Sequence, residues 1–183
     1  MNASRRLLGS NGAGGNAGAA SEGNEMTGSA QTDRPGVPLK VDEGTLGRIA
    51  NGEHHAPHSV LGAHLDDYGH VTIRTVKHLA EAISVLTPAG EVHMEHEAHG
   101  VWVAVLEPLQ QGHVPDYRLS VTYPGADPVT VDDPYRYLPT VGEVDLHLIG
   151  EGRHEKLWEV LGAHVQHYKS AMGDVDGVSF AVW

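Results

Sequence analysis

Histidine is the most obvious source of chemistry in this sequence, which has 14 histidines, all within residues 54–167. Neutral imidazole is the commonest metal ligand in proteins. Four of the histidines are close together in the chain: His54, His55, His58 and His64. A metal site, however, needs ligands that converge and a second set of groups that orients them, and Pro57 constrains the backbone inside this group. We therefore expect histidines that form hydrogen bonds in loops and turns, and no metal site.

Two pairs of adjacent carboxylates, Asp66-Asp67 and Asp132-Asp133, could suggest glycoside chemistry. A retaining glycosidase or transglycosylase places its two carboxyl groups about 5 Å apart on either side of a bound sugar. Neighbouring residues on a strand point to opposite faces, and Pro134 keeps Asp133 extended. These pairs are therefore predicted to serve in turns and caps, and no catalytic residue is assigned to the chain.

Aromatic side chains can stack on sugars, and four residues are candidates for this role: Trp102, Tyr135, Tyr137 and Trp158. Trp102 lies in a run that is apolar on both faces, so it is predicted to be a core residue. Trp158 lies on the apolar edge of a predicted helix, which favours packing in a core or between domains. Tyr135 and Tyr137 flank Arg136 and are predicted to anchor their segment to the main domain. Which residues contact carbohydrate is left open.

The composition excludes several classes of function. The net charge of −12 argues against a nucleic-acid partner, because phosphate binding needs clustered Lys and Arg. There are no cysteines, so disulfides and thiolate metal sites are impossible, and the composition fits a reducing cytoplasm. No apolar run is long enough for a signal peptide or a membrane span. A phosphate-binding glycine loop and a nucleophile elbow are also missing. We expect a cytoplasmic protein without a cofactor.

The elements that must position these side chains are mostly strands. Residues 1–40 are rich in Gly, Ala and Ser, and we expect a disordered tail. A short helix is predicted after Asp42, its N-cap, and ends near Gly52. The predicted strands are 70–77, 82–86, 91–95, 100–106, 116–123 and 129–131. Short strands joined by Pro/Gly turns predict a mostly β protein with an immunoglobulin-like sandwich.

Some strands have a predicted orientation. In 70–77, one face carries Val71, Ile73 and Thr75, with polar residues between them. In 116–123, the positions Tyr117, Leu119, Val121 and Tyr123 are expected to face inward. The pattern then changes to a helix over 152–164 and a last strand over 178–183. We detect no internal repeat.

Residues 132–164, DDPYRYLPTVGEVDLHLIGEGRHEKLWEVLGAH, combine prolines, glycines, aromatics and charges at irregular intervals. This run resembles the segment of bacterial glycogen branching enzymes, of the actinobacterial type, that leads from the first N-terminal β-sandwich into the second. Residues 53–64 and 116–119 resemble the entry and a late strand of the first sandwich. Residues 177–183 resemble the first strand of the second module, a starch- and glycogen-binding type. The resemblance extends over residues 42–183.

The resemblance implies four regions: a tail (1–40), a sandwich domain (41–150), a helical connector (151–176) and the first strand of a truncated module (177–183). The family belongs to the α-amylase superfamily, and it cleaves α-1,4-glucan and transfers the segment to a 6-hydroxyl. The implied catalytic Asp nucleophile and Glu acid/base are expected downstream of Trp183, on a (β/α)₈ barrel. The 183-residue chain is therefore expected to be inactive alone, with α-glucan such as glycogen as its partner and its surface packed on downstream domains.

Two alternatives remain open. The chain could be a free-standing, non-catalytic glucan-binding sandwich. It could also belong to a related hydrolase of the same superfamily that releases trehalose or removes branches. The expected cut at residue 183 further predicts that 178–183 lacks partner strands and has apolar side chains without a core.

Overall fold

The computed structural model of the protein describes residues 36–108 and 113–183. Within them it has ten strands, three α-helices and two 3₁₀ turns. The disordered tail expected over 1–40 lies outside the described residues except for 36–40. The strands are β1 (Gly62–Leu65), β2 (Val71–Val76), β3 (Ala82–Thr87), β4 (Gly90–His93), β5 (Glu95–Ala98), β6 (Val101–Leu106), β7 (Arg118–Thr122), β8 (Val129–Val131), β9 (Gly162–Tyr168) and β10 (Val175–Ala181). The helices are α1 (Glu43–Ala50), α2 (Glu143–Gly150) and α3 (Leu157–Val160), and the 3₁₀ turns are Pro57–Ser59 and Pro134–Arg136.

Eight of the strands form a β-sandwich. One antiparallel sheet has the order β1-β2-β6-β5 and the other has the order β4-β3-β7-β8. One buried cluster contains residues from both sheets, which shows that they pack face to face. Its members include Val71, Ile73, Ile83, Val85, Trp102, Ala104, Leu106, Tyr117, Leu119 and Val121. The prediction of a mostly β protein with a sandwich is confirmed.

Helix α1 covers the outer face of this sandwich. Asp42 accepts a hydrogen bond from the Thr45 amide and caps the helix, as predicted. Leu46 and Ile49 of α1 join Val101 of β6 in a second buried cluster. Strand β6 is therefore covered on both sides, which confirms the prediction from its apolar sequence.

The prediction for β2 is only half right, because both of its faces are buried. The outer face carries Arg74, which is 2% exposed. Its Nε donates to Glu97 at 2.7 Å, and its Nη2 donates to Glu97 and to the Leu39 carbonyl. Burial of a guanidinium is tolerated when its donors are satisfied in this way. Alternation of polar residues therefore does not mean exposure here.

Three further elements differ from the sequence prediction. Strands β1 and β5 and helix α2 lie where no element was predicted. Tyr123, expected to face inward, lies just after β7 and is 38% exposed. The inward positions Tyr117, Leu119 and Val121 are confirmed.

The expectation that the chain has no internal repeat is wrong. The pentapeptide Val-Leu-Gly-Ala-His occurs at 60–64 and again at 160–164, a spacing of 100 residues. Helices α1 and α2 precede these copies at the same spacing. We call residues 42–76 the first unit and residues 142–181 the second unit. Identical residues also stand at scattered positions with the same spacing, among them Leu46 and Leu146, Ile49 and Ile149, and Gly52 and Gly152.

The two units repeat each other in detail. Both helices end on a residue with φ −82° and ψ −5°, Asn51 or Glu151. A glycine with positive φ follows each of them, at 72° for Gly52 and 67° for Gly152. The histidine of each pentapeptide then places its Nε2 within hydrogen-bond distance of the leucine carbonyl oxygen. The distance is 3.1 Å in the first unit and 3.0 Å in the second. Matching C-terminal caps and matching histidine contacts indicate one structural template used twice.

The sheet register extends the equivalence to the following strand. In the first unit Ala63 pairs with Ile73, and in the second Ala163 pairs with Phe180. Phe180 therefore takes the position of Ile73. Ile73 is 0% exposed within the sandwich, whereas Phe180 is 74% exposed. Among the described residues, the second unit has no sandwich of its own.

This arrangement corrects two predictions about the end of the chain. The helix predicted over 152–164 is limited to α3, because Gly162 (φ 101°) begins strand β9. The last strand does have a partner, since β10 pairs with β9 from Val175↔Tyr168 to Ala181↔Gly162. Exposure of the apolar side chains is confirmed: Val178 is 50%, Val182 93% and Trp183 72% exposed.

Candidate functional site

The candidate site is a cleft between the segment that follows β8 and the β9–β10 hairpin. Its cavity volume is about 490 Å³. We call it the tyrosine cleft and define it by six of its lining residues: His58, Asp132, Tyr137, Gln166, Tyr168 and Ser179. Its size is within the range of about 300–1,000 Å³ that is common for small-molecule sites.

The first wall is held by the 3₁₀ turn Pro134–Arg136. Asp133 caps this turn by accepting a hydrogen bond from the Tyr135 amide. Arg136 fixes the turn to the sandwich, since its Nη1 donates to the Tyr117 carbonyl at 2.7 Å. Proline pre-sets φ at the start of such a turn. The prediction that Tyr135 and Tyr137 anchor this segment is half right. Tyr135 packs against the buried cluster of α1 and β6, whereas Tyr137 contacts the hairpin.

Tyr137 follows this turn and connects the two walls. Its ring centroid lies 4.4 Å from that of Tyr168 on β9, with the planes tilted by 32°. The guanidinium of Arg136 lies 5.2 Å from the Tyr137 centroid, at a distance suited to a cation–π contact. Tyr137 thus contacts both a cation and a second ring.

The hydroxyl of Tyr137 has no hydrogen-bond partner among the described residues, although the atom is buried. Burial raises the pKa of this phenol, and the neighbouring Arg136 opposes the shift. Tyr137 is therefore a protonated donor at neutral pH. A buried polar atom without a partner is uncommon in folded proteins and calls for an explanation.

The second wall is the hairpin face that carries Gln166 and Ser179. The Gln166 side-chain amide donates to the Ser179 hydroxyl at 3.0 Å, and this hydroxyl lies 3.4 Å from the His164 carbonyl. These side chains are half-buried, whereas Val165 and Phe180 on the other face are 68% and 74% exposed. The lining of this wall is mixed, because Val178 and Phe180 border the cleft as well as Gln166 and Ser179.

The carboxylate pair at 132–133 is structural, as predicted. Asp132 accepts two hydrogen bonds from Arg118, at 3.1 and 2.8 Å. Asp133 is fully buried and accepts from the Tyr117 hydroxyl at 2.7 Å. Burial raises the pKa of Asp133, while the hydrogen bond from Tyr117 opposes the shift. Burial and then the Asp133 charge raise the pKa of Tyr117.

The pair at 66–67 also lies in a turn. Asp66 accepts from the amides of Tyr68 and His70, each at 2.8 Å. Burial alone would raise the pKa of Asp66, but these hydrogen bonds outweigh it and hold the pKa below its usual range. This carboxylate stabilises the turn between β1 and β2.

Some of the histidines form hydrogen bonds in loops and turns, and others make ring contacts. His58 packs edge-on against the Tyr135 ring, with centroids 5.0 Å apart. His70 lies 3.2 Å from the Asp66 carboxylate. Within residues 36–108 and 113–183, no three His, Cys, Asp or Glu side chains are grouped so that they could hold a metal ion.

The two tryptophans that could stack on sugar, Trp102 and Trp158, differ in exposure. Trp102 is 9% exposed, and its Nε1 donates to the Lys77 carbonyl at 3.2 Å, so its predicted core position is confirmed. Trp158 is 68% exposed. It therefore lies in no core formed by the described residues, and its packing between domains stays a prediction.

Sequence reasoning missed half of the cleft. Gln166, Tyr168 and Ser179 are not singled out from the sequence, because the predicted helix ends at 164 and no element is predicted over 165–169. The alternation of His164, Gln166 and Tyr168 with Val165 and His167 was the signal for a strand with one polar face. With two tyrosine rings, an amide and a hydroxyl, the cleft suits an uncharged ligand rich in hydroxyl groups.

No helix within the described ranges has both the length and the apolar character needed to cross a membrane.

The sequence profile of the family "alpha-1,4-glucan branching enzyme GlgB, N-terminal domain" matches residues 42–135.

Two curated relatives extend the match beyond this range. The 1,4-alpha-glucan branching enzyme GlgB of Rhodococcus jostii is 49% identical over 152 residues, which are 83% of this chain and 20% of that protein. The protein of the same name from Thermobifida fusca is 49% identical over 136 residues, which are 74% of this chain and 18% of that protein. The chain thus spans about a fifth of the length of the curated relatives it matches.

Among solved structures, the catalytic module of the multi-modular glycogen-degrading pneumococcal virulence factor SpuA aligns with 41% of this chain and 12% of its own chain. The identity is 26% and the TM-score is 0.34.

Proposed function

The chain belongs to the family of alpha-1,4-glucan branching enzyme GlgB N-terminal domains, and from this we propose that it is the amino-terminal part of a glycogen branching enzyme. Such an enzyme cleaves an α-1,4-glucan chain and transfers the segment to a 6-hydroxyl, which creates an α-1,6 branch. We place this reaction in cytoplasmic glycogen synthesis. The observation that carries the proposal is the family match over 42–135, extended by 49% identity over 83% of the chain.

The role we assign to these residues is to hold α-glucan for catalysis elsewhere in the enzyme. The carboxylates at 132–133 support this division of labour, because both are engaged by side chains of the sandwich. A retaining transfer needs one free nucleophilic carboxylate and one acid across a bound sugar. We propose that the Asp nucleophile and the Glu acid/base belong to the part of the enzyme that these relatives have in addition.

Two assays on the 183-residue chain test this proposal. Incubation with amylose followed by iodine staining is expected to show no loss of colour, with the Rhodococcus jostii branching enzyme as a positive control. In a native gel that contains glycogen, the chain is expected to migrate more slowly than in a gel without it. Branching by the chain itself would overturn the assigned role, and so would unchanged migration.

A further inference from the structure

We propose that the tyrosine cleft binds a segment of α-glucan, against the rings of Tyr137 and Tyr168 and the polar pair Gln166–Ser179. This inference rests on the proposed function for the identity of the sugar. The location of the site comes from the structure, through a comparison of the two repeated units.

In the first unit, the place that corresponds to the cleft is closed. The chain before α1 lies across β2, where the Leu39 amide donates to Thr72 Oγ1 at 3.0 Å. The Arg74 guanidinium donates to the Leu39 carbonyl from the same strand. These two contacts clamp the preceding segment onto the sheet.

In the second unit, the residues at these positions cannot make the clamp. Pro139 stands 100 residues after Leu39 and has no N–H to donate. The sheet register places Ser179 at the position of Thr72 and Ala181 at that of Arg74. Since Ala181 carries no guanidinium, it cannot hold the segment around Pro139 against the hairpin. The cavity of about 490 Å³ lies where the clamp would be.

The cleft is lined by apolar as well as polar residues of the hairpin. Val178 and Phe180 border it together with Gln166 and Ser179, and Phe180 takes the position of Ile73, a core residue of the first sandwich. These two apolar side chains are 50% and 74% exposed, and they offer further contacts to the apolar face of a sugar ring.

The lining favours a neutral, hydroxyl-rich ligand over an anion. A sugar ring offers an apolar face to the tyrosine rings and hydroxyl groups to the Gln166 amide and the Ser179 hydroxyl. Within the part of the chain that the structure describes, the lining contains no Lys or Arg that could bind phosphate or another anion, and the net charge of −12 is also unfavourable for an anion.

A calorimetric titration of the 183-residue chain with maltohexaose tests the site. Tyr168→Ala and Gln166→Ala are each expected to weaken binding about tenfold or more, the equivalent of about 1.4 kcal/mol of lost contact. Tyr68→Ala is the matched control, because Tyr68 occupies an exposed turn after β1. It is expected to bind like the unsubstituted chain. Thermal unfolding of each variant verifies that it is folded.

The outcomes separate this inference from the proposed function. Loss of affinity in both cleft variants, with the control unchanged, supports the site. Equal affinity in all variants overturns the cleft but leaves glucan binding intact. Absence of maltohexaose binding also overturns the cleft. The glucan-holding role is overturned if glycogen no longer slows the migration of the chain in the native gel.

Discussion

Replacement of Gly62 by Ala is expected to lower the free energy of unfolding by about 3 kcal/mol, while Gly162→Ala costs about half as much. Both glycines have positive φ, at 86° and 101°. An alanine Cβ at 62 would lie 2.4 Å from the Tyr135 carbonyl oxygen, whereas nothing lies within 4 Å of the position at 162. Only the first substitution must separate β1 from the 3₁₀ turn that follows β8.

Urea denaturation of the two variants measures this difference. The repeat makes them a matched pair, because each glycine stands between the same residues, Leu and Ala, at the start of an equivalent strand. Equal losses of stability would show that backbone conformation alone sets the cost. The close approach of β1 and the Tyr135 backbone would then have no energetic role.

Tyr117→Phe is the second substitution with a large expected effect, about 2–3 kcal/mol of stability at pH 7. It removes the donor at 2.7 Å from the Asp133 carboxylate and leaves that fully buried group with one fewer hydrogen bond. The cost exceeds that of an ordinary hydrogen bond because the acceptor is charged and cannot reach water. Tyr123→Phe, at a partly exposed position, is the control and is expected to change stability by less than about 0.5 kcal/mol.

The effect of Tyr117→Phe should depend on pH. Burial raises the pKa of Asp133 above 3.8, and the Tyr117 hydroxyl lowers it. The fold therefore favours protonated Asp133. This preference adds to the free energy of unfolding in full below pH 3.8, and the addition is lost as pH rises through the raised pKa. Loss of the hydroxyl raises this pKa further. Urea denaturation should thus show a larger loss at pH 7 than near pH 4, and a loss independent of pH would contradict this account.

The sandwich could be predicted from the sequence because its signals are local. Proline and glycine turns separate short strands, and 100–106 is apolar on both parities, which requires cover on both sides. The position of Arg74 could not be predicted, because its burial depends on Glu97 and on the Leu39 carbonyl, which are distant in sequence. Alternation of polar and apolar residues predicts which residues share a face of the strand. Whether that face is exposed to water depends on the groups that pack against it.

The repeat and the cleft were missed for a related reason. Outside the pentapeptide, the units share only scattered identical residues, such as Leu46 and Leu146 or Gly52 and Gly152. Their other equivalences lie in positive φ angles and register, which appear only in the backbone. The hairpin β9–β10 was hidden by apolar residues at 157–161 that favoured a longer helix. Tyr137 was assigned to an anchor, but its contact with Tyr168 depends on a strand that the sequence did not predict.

The most direct test of the central claim, that this chain holds α-glucan and does so in the tyrosine cleft, is an amide chemical-shift map during a maltohexaose titration. We predict shifts at residues 137, 138 and 140, at 166–168 and at 175–180, with the amides of β3 and β7 in the sandwich core unchanged. A spectrum that does not respond to saturating maltohexaose, or that responds only outside these three segments, would contradict the account.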